Sequence, residues 1–302
     1  MASVSVMETL SNEFAAAAEK HGPFVVAVHA RRWMPSSGIE WKQGVVVTAN
    51  HAIRRDEEIK VARHNGKTVT ASLAGRDPST DLAVLKLPEA SGTAEIGDSS
   101  SLKLGNLVLA LGRSRNGNLV ASAGIIGGLS GEWRTWRGGK LDQHIRLDLE
   151  LYPGFSGGPL VDASGKVVGI NSGGLARGRA VTIPVSTVKR VVDELLEKGH
   201  IARPYLGIAM QPVAIPEAMR SSVKGTSGGL LVVHVEQGGP AEKGGVLLGD
   251  VLLSIQGNAL EEMDSLMNLL TSAKVGDTCS IEAIRGGQVV QVSVKLGDRP
   301  TK

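Results

Sequence analysis

Ser156 stands in the string Tyr152-Pro153-Gly154-Phe155-Ser156-Gly157-Gly158-Pro159, a serine flanked by glycines on a tight turn. Glycine has no Cβ, so such a turn can take positive φ and bring backbone N–H groups close to a bound carbonyl. The string suits a nucleophilic hydroxyl, with the N–H groups of Gly154 and Ser156 as donors to an oxyanion. Taken alone it suits an ordinary β-turn as well. A serine hydroxyl is a weak nucleophile that needs a base, and the base needs an orienting carboxylate. His51 closes the apolar run Gly44-Val45-Val46-Val47-Thr48-Ala49-Asn50, and Asp81 opens the run Leu82-Ala83-Val84-Leu85. Base and orienter are thereby set at the ends of two different strand-like runs upstream of the serine. Together they specify acyl transfer.

The other histidines with a clear setting have duller explanations. His64 falls in an Asn-Gly turn, His200 in a linker, and His29 and His234 on apolar strands where they read as core. From Pro23 to about Pro184 the chain consists of short β-runs separated by Gly, Asn, Asp and Pro turns. The clearest strands are residues 25–28, 45–48, 82–87, 107–111, 145–149 and 167–170. A helix is expected over residues 186–198, capped by Ser186 and ended by Gly199, with Val188, Val191, Val192 and Leu195 at helical spacing. Arg203-Pro204 marks a linker, and Glu261 to Ala273 reads as a further helix.

Composition narrows the alternatives. At 302 residues, 42% of them hydrophobic, the chain can build two or three compact units. Its 39 glycines suit many tight turns, and none of their clusters has the spacing of a P-loop or a dinucleotide fingerprint. A net charge of +3 with few aromatics gives little support to nucleic-acid binding. Arg134, Arg137 and Lys140 around Trp133 and Trp136 read as decoration of an exposed loop. A single cysteine, Cys279, excludes an intrachain disulfide and a cysteine-based zinc site. It lies on an alternating strand, as a structural thiol would. The first 20 residues read as a short amphipathic helix without the apolar stretch of a secretory signal. The expected compartment is the cytoplasm for a full chain, or the periplasm if a signal segment has been removed.

The order His51, Asp81, Ser156 is that of chymotrypsin-like proteases, and the strings TANHAI, DPSTDLAVLKL and GFSGGPLVDASGKVVGINSGG are more specific still. They resemble the HtrA (Deg) serine proteases, and the resemblance covers nearly the whole chain. It implies a mainly β protein, a chymotrypsin-like double β-barrel followed by a PDZ domain. The barrels would divide near Gly97, with the site in the cleft between them. The implied organisation is an N-terminal helical segment over 1–20, a protease domain over 21–200 and a PDZ domain over 201–302. His51, Asp81 and Ser156 carry over as base, orienter and nucleophile, and Gly154 and Ser156 as oxyanion donors. No metal or organic cofactor is implied. The family acts on unfolded or damaged proteins without ATP, often as a homotrimer or a multiple of trimers. Phe14 or Phe24 would lock such a trimer, or else pack on the first barrel.

The chain departs from the family pattern at Phe155, where asparagine is usual, and in Thr-Ala-Asn-His, where Thr-Asn-Ala-His is usual. Digestive proteases carry an acidic residue at the Phe155 place, which pairs with a new N-terminus after cleavage. A phenylalanine cannot be activated in that way. Residues five and six before the nucleophile, Leu151 and Glu150, help line the primary specificity pocket in this fold. Strand alternation lets only one face it. Leu151 is favoured, because an unpaired buried carboxylate is costly. Asn171, Ser172 and Gly173, continuing to Gly174, are expected as the edge that pairs with the substrate backbone.

The C-terminal third resembles the family's PDZ module. Tyr205-Leu206-Gly207-Ile208 matches the carboxylate-binding loop, so Leu206, Gly207 and Ile208 are expected to receive peptide C-termini. Met263, Met267 and Leu270 share a helix face and suit a groove wall or an ordinary core. The reading is therefore a serine endopeptidase. Two others stand behind it, a peptide-binding or chaperone module whose protease site is inactive at rest, and a trimeric scaffold displaying PDZ grooves.

Overall fold

Runs such as Val45-Val46-Val47-Thr48-Ala49 are rich in β-branched residues with no polar alternation, which requires strands buried on both faces. The computed structural model describes residues 5–31, 34–176, 180–217, 223 and 227–300, and divides the chain into two units, 1–201 and 202–302. In the first unit, β1 (Val25–His29), β2 (Ser36–Lys42), β3 (Val45–Ala49), β4 (Ile59–Ala62), β5 (Thr68–Asp77) and β6 (Leu82–Lys86) close a barrel in the order β1-β2-β3-β6-β5-β4. A second chain segment supplies β7 (Leu107–Arg113), β8 (Leu119–Ser130), the short hairpin β9 (Trp133–Arg134) and β10 (Lys140–Leu141), then β11 (His144–Asp148), β12 (Pro159–Asp162), β13 (Val167–Ser172) and β14 (Val181–Pro184). Here β11-β14-β13-β12-β7-β8 close a second barrel.

Alternation within these apolar runs has a use. In β3 and β6, Val46, Ala83 and Leu85 fill the first barrel, while Val47, Leu82 and Val84 face a core shared with Leu109, Leu111 and Val161 of the second. Helix α1 (Val6–His21) opens the unit and α2 (Val185–Lys198) ends it. Val188, Val191, Val192 and Leu195 of α2 are buried in the shared core, each contributing about 1.5–3 kcal/mol. Gly199 in the left-handed conformation stops the helix, as its position implies. Ser186 does not cap it. The cap position belongs to Pro184, because the chain enters the helix directly from β14. Phe14 and Phe24 pack against the shared core.

Helix α1 is fastened at its last residue. His21 is fully buried, its Nε2–H donates to the Gly165 carbonyl at 2.8 Å, and its Nδ1 has no partner among the described residues. Burial holds the imidazole below its ordinary value, and the adjacent Lys20 acts the same way. The Gly165 carbonyl, Glu95 and Asp162 oppose them. A histidine with a depressed folded pKa is neutral in the folded state. Its contribution is therefore full above the unfolded value of about 6.5 and is lost as pH falls through the lower folded value. The protection factors of the amides across residues 6–21, taken relative to intrinsic exchange at each pH, are expected to fall on acidification from pH 7.5 to 5, and to stop doing so in His21→Leu. Protection that is constant over that range in the unsubstituted protein would refute the assignment.

In the second unit, β15 (Pro204–Tyr205), β16 (Ile208–Ala214), β17 (Gly228–Val235), the short helix α3 (Pro240–Lys243), β18 (Val251–Ile255), β19 (Asn258–Ala259), α4 (Met263–Ser272), β20 (Thr278–Arg285), β21 (Gln288–Lys295) and β22 (Gly297–Asp298) follow in order. The sheet runs β16-β17-β18-β20-β21, which leaves β16 at an edge. Cys279 is buried in this unit's core. Among the described residues no helix is long and apolar enough to cross a membrane.

Candidate active site

The three residues expected to act together arrive on three different connections. The chain leaves β3 through a 3-10 turn, Asn50–Ala52, which carries His51. Asp81 precedes β6 at φ 60°, a conformation that non-glycine residues seldom adopt. Ser156 lies between β11 and β12. The Asn50 N–H donates to the Asp81 carbonyl at 3.0 Å, which ties the first two connections together.

The Asp81 carboxylate is saturated with donors. Its Oδ1 accepts the His51 backbone N–H at 2.9 Å, and its Oδ2 lies 2.7 Å from His51 Nδ1. Ser172 Oγ donates to the same Oδ2 at 2.5 Å. With the Asp81 side chain only 5% exposed, Nδ1–H is held on the carboxylate, which leaves Nε2 as the imidazole's free acceptor. The Ser156 hydroxyl is turned another way. It accepts the Gly173 N–H at 3.1 Å, and no hydrogen bond joins it to His51 among the described residues.

The turn bearing Ser156 is braced from the first barrel. The Gly154 carbonyl accepts from Ser37 N at 2.8 Å and Ser37 Oγ at 2.7 Å, and the Ser156 carbonyl accepts from Ser36 Oγ at 2.5 Å. Phe155 N–H closes the turn onto the Tyr152 carbonyl. Gly154 sits at φ 104°, and its N–H and that of Ser156 donate to no protein acceptor among the described residues. Both are therefore available to an oxyanion. Phe155, the departure from the family pattern, keeps its ring out of this cleft. The ring is 1% exposed and packs with Leu102, Val108, Ala110, Ile126 and Leu160 inside the second barrel. A pocket of about 300 Å³ flanks the same turn, between Tyr152, Pro153 and Phe155 on one side and Met34, Arg115 and Val120 on the other.

The two residues expected at the specificity pocket divide more sharply than their sequence suggests. Glu150 is exposed, while Leu151 is partly buried against the second-barrel core, so Leu151 is the inward member of the pair. Asn171 and Ser172, expected on the edge that pairs with substrate backbone, turn their side chains inward. Both side chains are fully buried. Asn171 donates from Nδ2 to the Pro159 carbonyl and accepts from Thr182 Oγ1, and its backbone is committed to the 157–158 turn. Ser172 serves Asp81. Both residues lie in β13, where they stand opposite Thr182 and Val181 of β14. Gly173 and Gly174 follow the last paired residue of β13. Gly174 was a further feature hidden from sequence reasoning. A Cβ there would lie 2.7 Å from His51 Nδ1 and 3.0 Å from Asp81 Oδ2, so only glycine lets the chain pass this close.

In the second unit, Leu206 is a core residue and Gly207 turns at φ 78°, delivering the chain to the edge strand at Ile208. Met263 and Leu270 of α4 pack against the core beside Ile208 and Met210, whereas Met267 is half exposed.

A trypsin-like peptidase domain is matched over residues 36–170 and a PDZ domain over residues 204–296. Over 282 residues the chain is 39% identical to the serine protease Do-like HtrA of Lactobacillus helveticus, covering 87% of this chain and 67% of that protein. The serine protease Do-like HtrA of Bacillus subtilis (strain 168) is 33% identical over 287 residues, covering 88% and 64%. The chain thus spans about two thirds of the length of these relatives. The HtrA-type protease AlgW, solved with a decapeptide, superposes with a TM-score of 0.70 at 28% identity over 96% of this chain and 99% of that one. The serine endoprotease from Yersinia pestis does so with a TM-score of 0.70 at 26% identity over 99% and 100%. With two six-stranded barrels, a PDZ unit and these relatives, the chain belongs to the HtrA (Do-like) family of serine endopeptidases.

Proposed function

We propose that this chain cleaves unfolded or damaged proteins without ATP, Ser156 attacking the scissile carbonyl while His51 Nε2 takes its proton. The observation that carries this reading is the donor arrangement at one turn. The amides of Gly154 and of the serine itself are unengaged among the described residues, and beside them an imidazole is fixed by a buried carboxylate. Attack places the negative charge on the former carbonyl oxygen, where the N–H groups of Gly154 and Ser156 stabilise it. Collapse expels the amine, which takes the proton from His51. Water, activated by the same imidazole, then hydrolyses the acyl-enzyme. Leu151 in the specificity pocket favours small or medium apolar side chains. Gly173 and Gly174 offer the backbone edge for the substrate.

The domain boundaries belong to the same proposal, with a helical segment over 1–20, the protease over 21–200 and the PDZ domain over 201–302. Edge strand β16 and the Leu206-Gly207-Ile208 turn suit a peptide C-terminus added as a further strand. A homotrimer or a multiple of trimers follows the family pattern.

One observation favours the second reading, a peptide-binding module whose protease site rests inactive. Before attack, Ser156 Oγ must exchange the Gly173 N–H for His51. A fluorophosphonate probe separates the two readings. Rapid labelling of the purified protein, seen by intact mass and absent in Ser156→Ala, is the result expected of a protease. No labelling over hours would overturn it in favour of the resting module.

A further inference from the structure

We infer that Thr135 is a positioning residue for Asp81, through a cross-barrel clamp on the turn that carries the carboxylate. This rests on the reading of Asp81 as the orienter of His51. At φ 60° Asp81 is in a strained conformation that costs about 1–3 kcal/mol and persists only where its surroundings over-determine it. Two sets of contacts do so. From within the turn, the Asp77 carboxylate accepts Ser79 N–H at 3.0 Å, Ser79 Oγ at 2.7 Å and Thr80 Oγ1 at 2.7 Å. This fixes the amide and hydroxyl side of residues 77–81 and leaves the carbonyl of Ser79.

That carbonyl is met from the other barrel. Thr135 lies in the 133–141 hairpin, inserted between β8 and β11. Its Oγ1 donates to the Ser79 carbonyl at 2.7 Å and accepts the Gly139 N–H at 3.0 Å, so the hydroxyl is used in both directions. The side chain is buried. Gly139 is pressed against the same group, where a Cβ would lie 2.3 Å from the Ser79 oxygen. Ser79 is only two residues from Asp81, and the hairpin is inserted between two strands, β8 and β11, of the barrel that carries Ser156. The clamp therefore sets the carboxylate-bearing turn against the nucleophile's own framework. Ser172 makes the cross-barrel bond to the carboxylate itself, and Thr135 makes one to the backbone behind it.

The test compares Thr135→Val, which keeps the shape and loses the hydroxyl, with Thr135→Ser, which keeps the hydroxyl. Cleavage of fluorescently labelled casein is followed against pH, alongside thermal unfolding. Thr135→Val is expected to lower kcat by about tenfold to a hundredfold with KM little changed. The acid limb of its kcat/KM profile should move to lower pH, because a displaced carboxylate stabilises the His51 imidazolium less. Thr135→Ser should restore both. Gly139→Ala, which retains the hydroxyl but drives a methyl group onto the Ser79 oxygen, reads the same contact if Thr135→Val fails to fold. It should show the same limb shift. Wild-type kcat and an unmoved acid limb in Thr135→Val, or in Gly139→Ala where only that variant folds, would overturn the inference even if Tm fell. Failure of the underlying reading looks different, since wild-type protein would then show no cleavage that depends on Ser156.

Discussion

Ser156→Ala is expected to lower kcat on casein by about 10⁶-fold, with His51→Ala costing about as much and the double variant no more than either alone. The non-additivity is the informative part. Once the hydroxyl is gone the imidazole has no proton to accept, so its removal takes nothing further. Residual turnover would come from the Gly154 and Ser156 N–H groups, which a backbone-preserving alanine leaves in place. The fold should tolerate the change, because among the described residues the Ser156 side chain makes a single hydrogen bond, from Gly173. Thermal unfolding within a degree or two of wild type would confirm that the chemistry alone has been removed. Casein cleavage by Ser156→Ala within tenfold of wild type would refute the assignment of the nucleophile.

The largest stability effect is expected at Phe155. Phe155→Ala should cost about 3–5 kcal/mol of the first unit's unfolding free energy, since it empties a ring-sized volume from the interior of the second barrel. The same substitution should abolish most fluorophosphonate labelling. Phe155 N–H closes the turn onto Tyr152, the Phe155 carbonyl accepts from Gly158, and the ring lies 5.6 Å from that of Tyr152. The ring thus anchors the segment that aims the Gly154 and Ser156 amides. Phe155→Asn, which restores the residue usual in the family, should be no better. It would place an amide in an apolar cluster that offers it no obvious partner, at a penalty of about 1–3 kcal/mol in addition to the lost packing. Urea unfolding of the three proteins checks both statements. A loss below about 1 kcal/mol in Phe155→Ala would show that the barrel closes over the gap and that the ring is dispensable.

The chemistry-bearing residues were legible because their signals are local. Apolar runs of β-branched residues must become strands, His51 and Asp81 are the polar residues where such runs end and begin, and Ser156 sits in a glycine-rich turn. Gly154 was legible from its place beside the serine, and the glycine-rich turn from the positive φ it needs. The amphipathic spacing of α2 was likewise sufficient to place its buried face.

Other assignments needed the closed barrels. Asn171 and Ser172 sit in an ordinary strand end, and nothing near them in the chain says that one is stapled to Pro159 and the other to Asp81, 91 residues away. Leu151 and Glu150 were equivalent under strand alternation until the second-barrel core took one of them. His21, at the polar end of a helix, is buried and bonded to the Gly165 carbonyl, 144 residues away. Thr135, in a hairpin that reads as surface decoration, meets Ser79 only after two separate barrels have packed. The physical reason is range. Strand, turn and helix preferences depend on neighbours a few residues apart, so the sequence by itself determined the elements and the types of group at their ends. Which donor meets which acceptor depends on groups brought together by the burial of two barrel faces, and only the tertiary structure decided that.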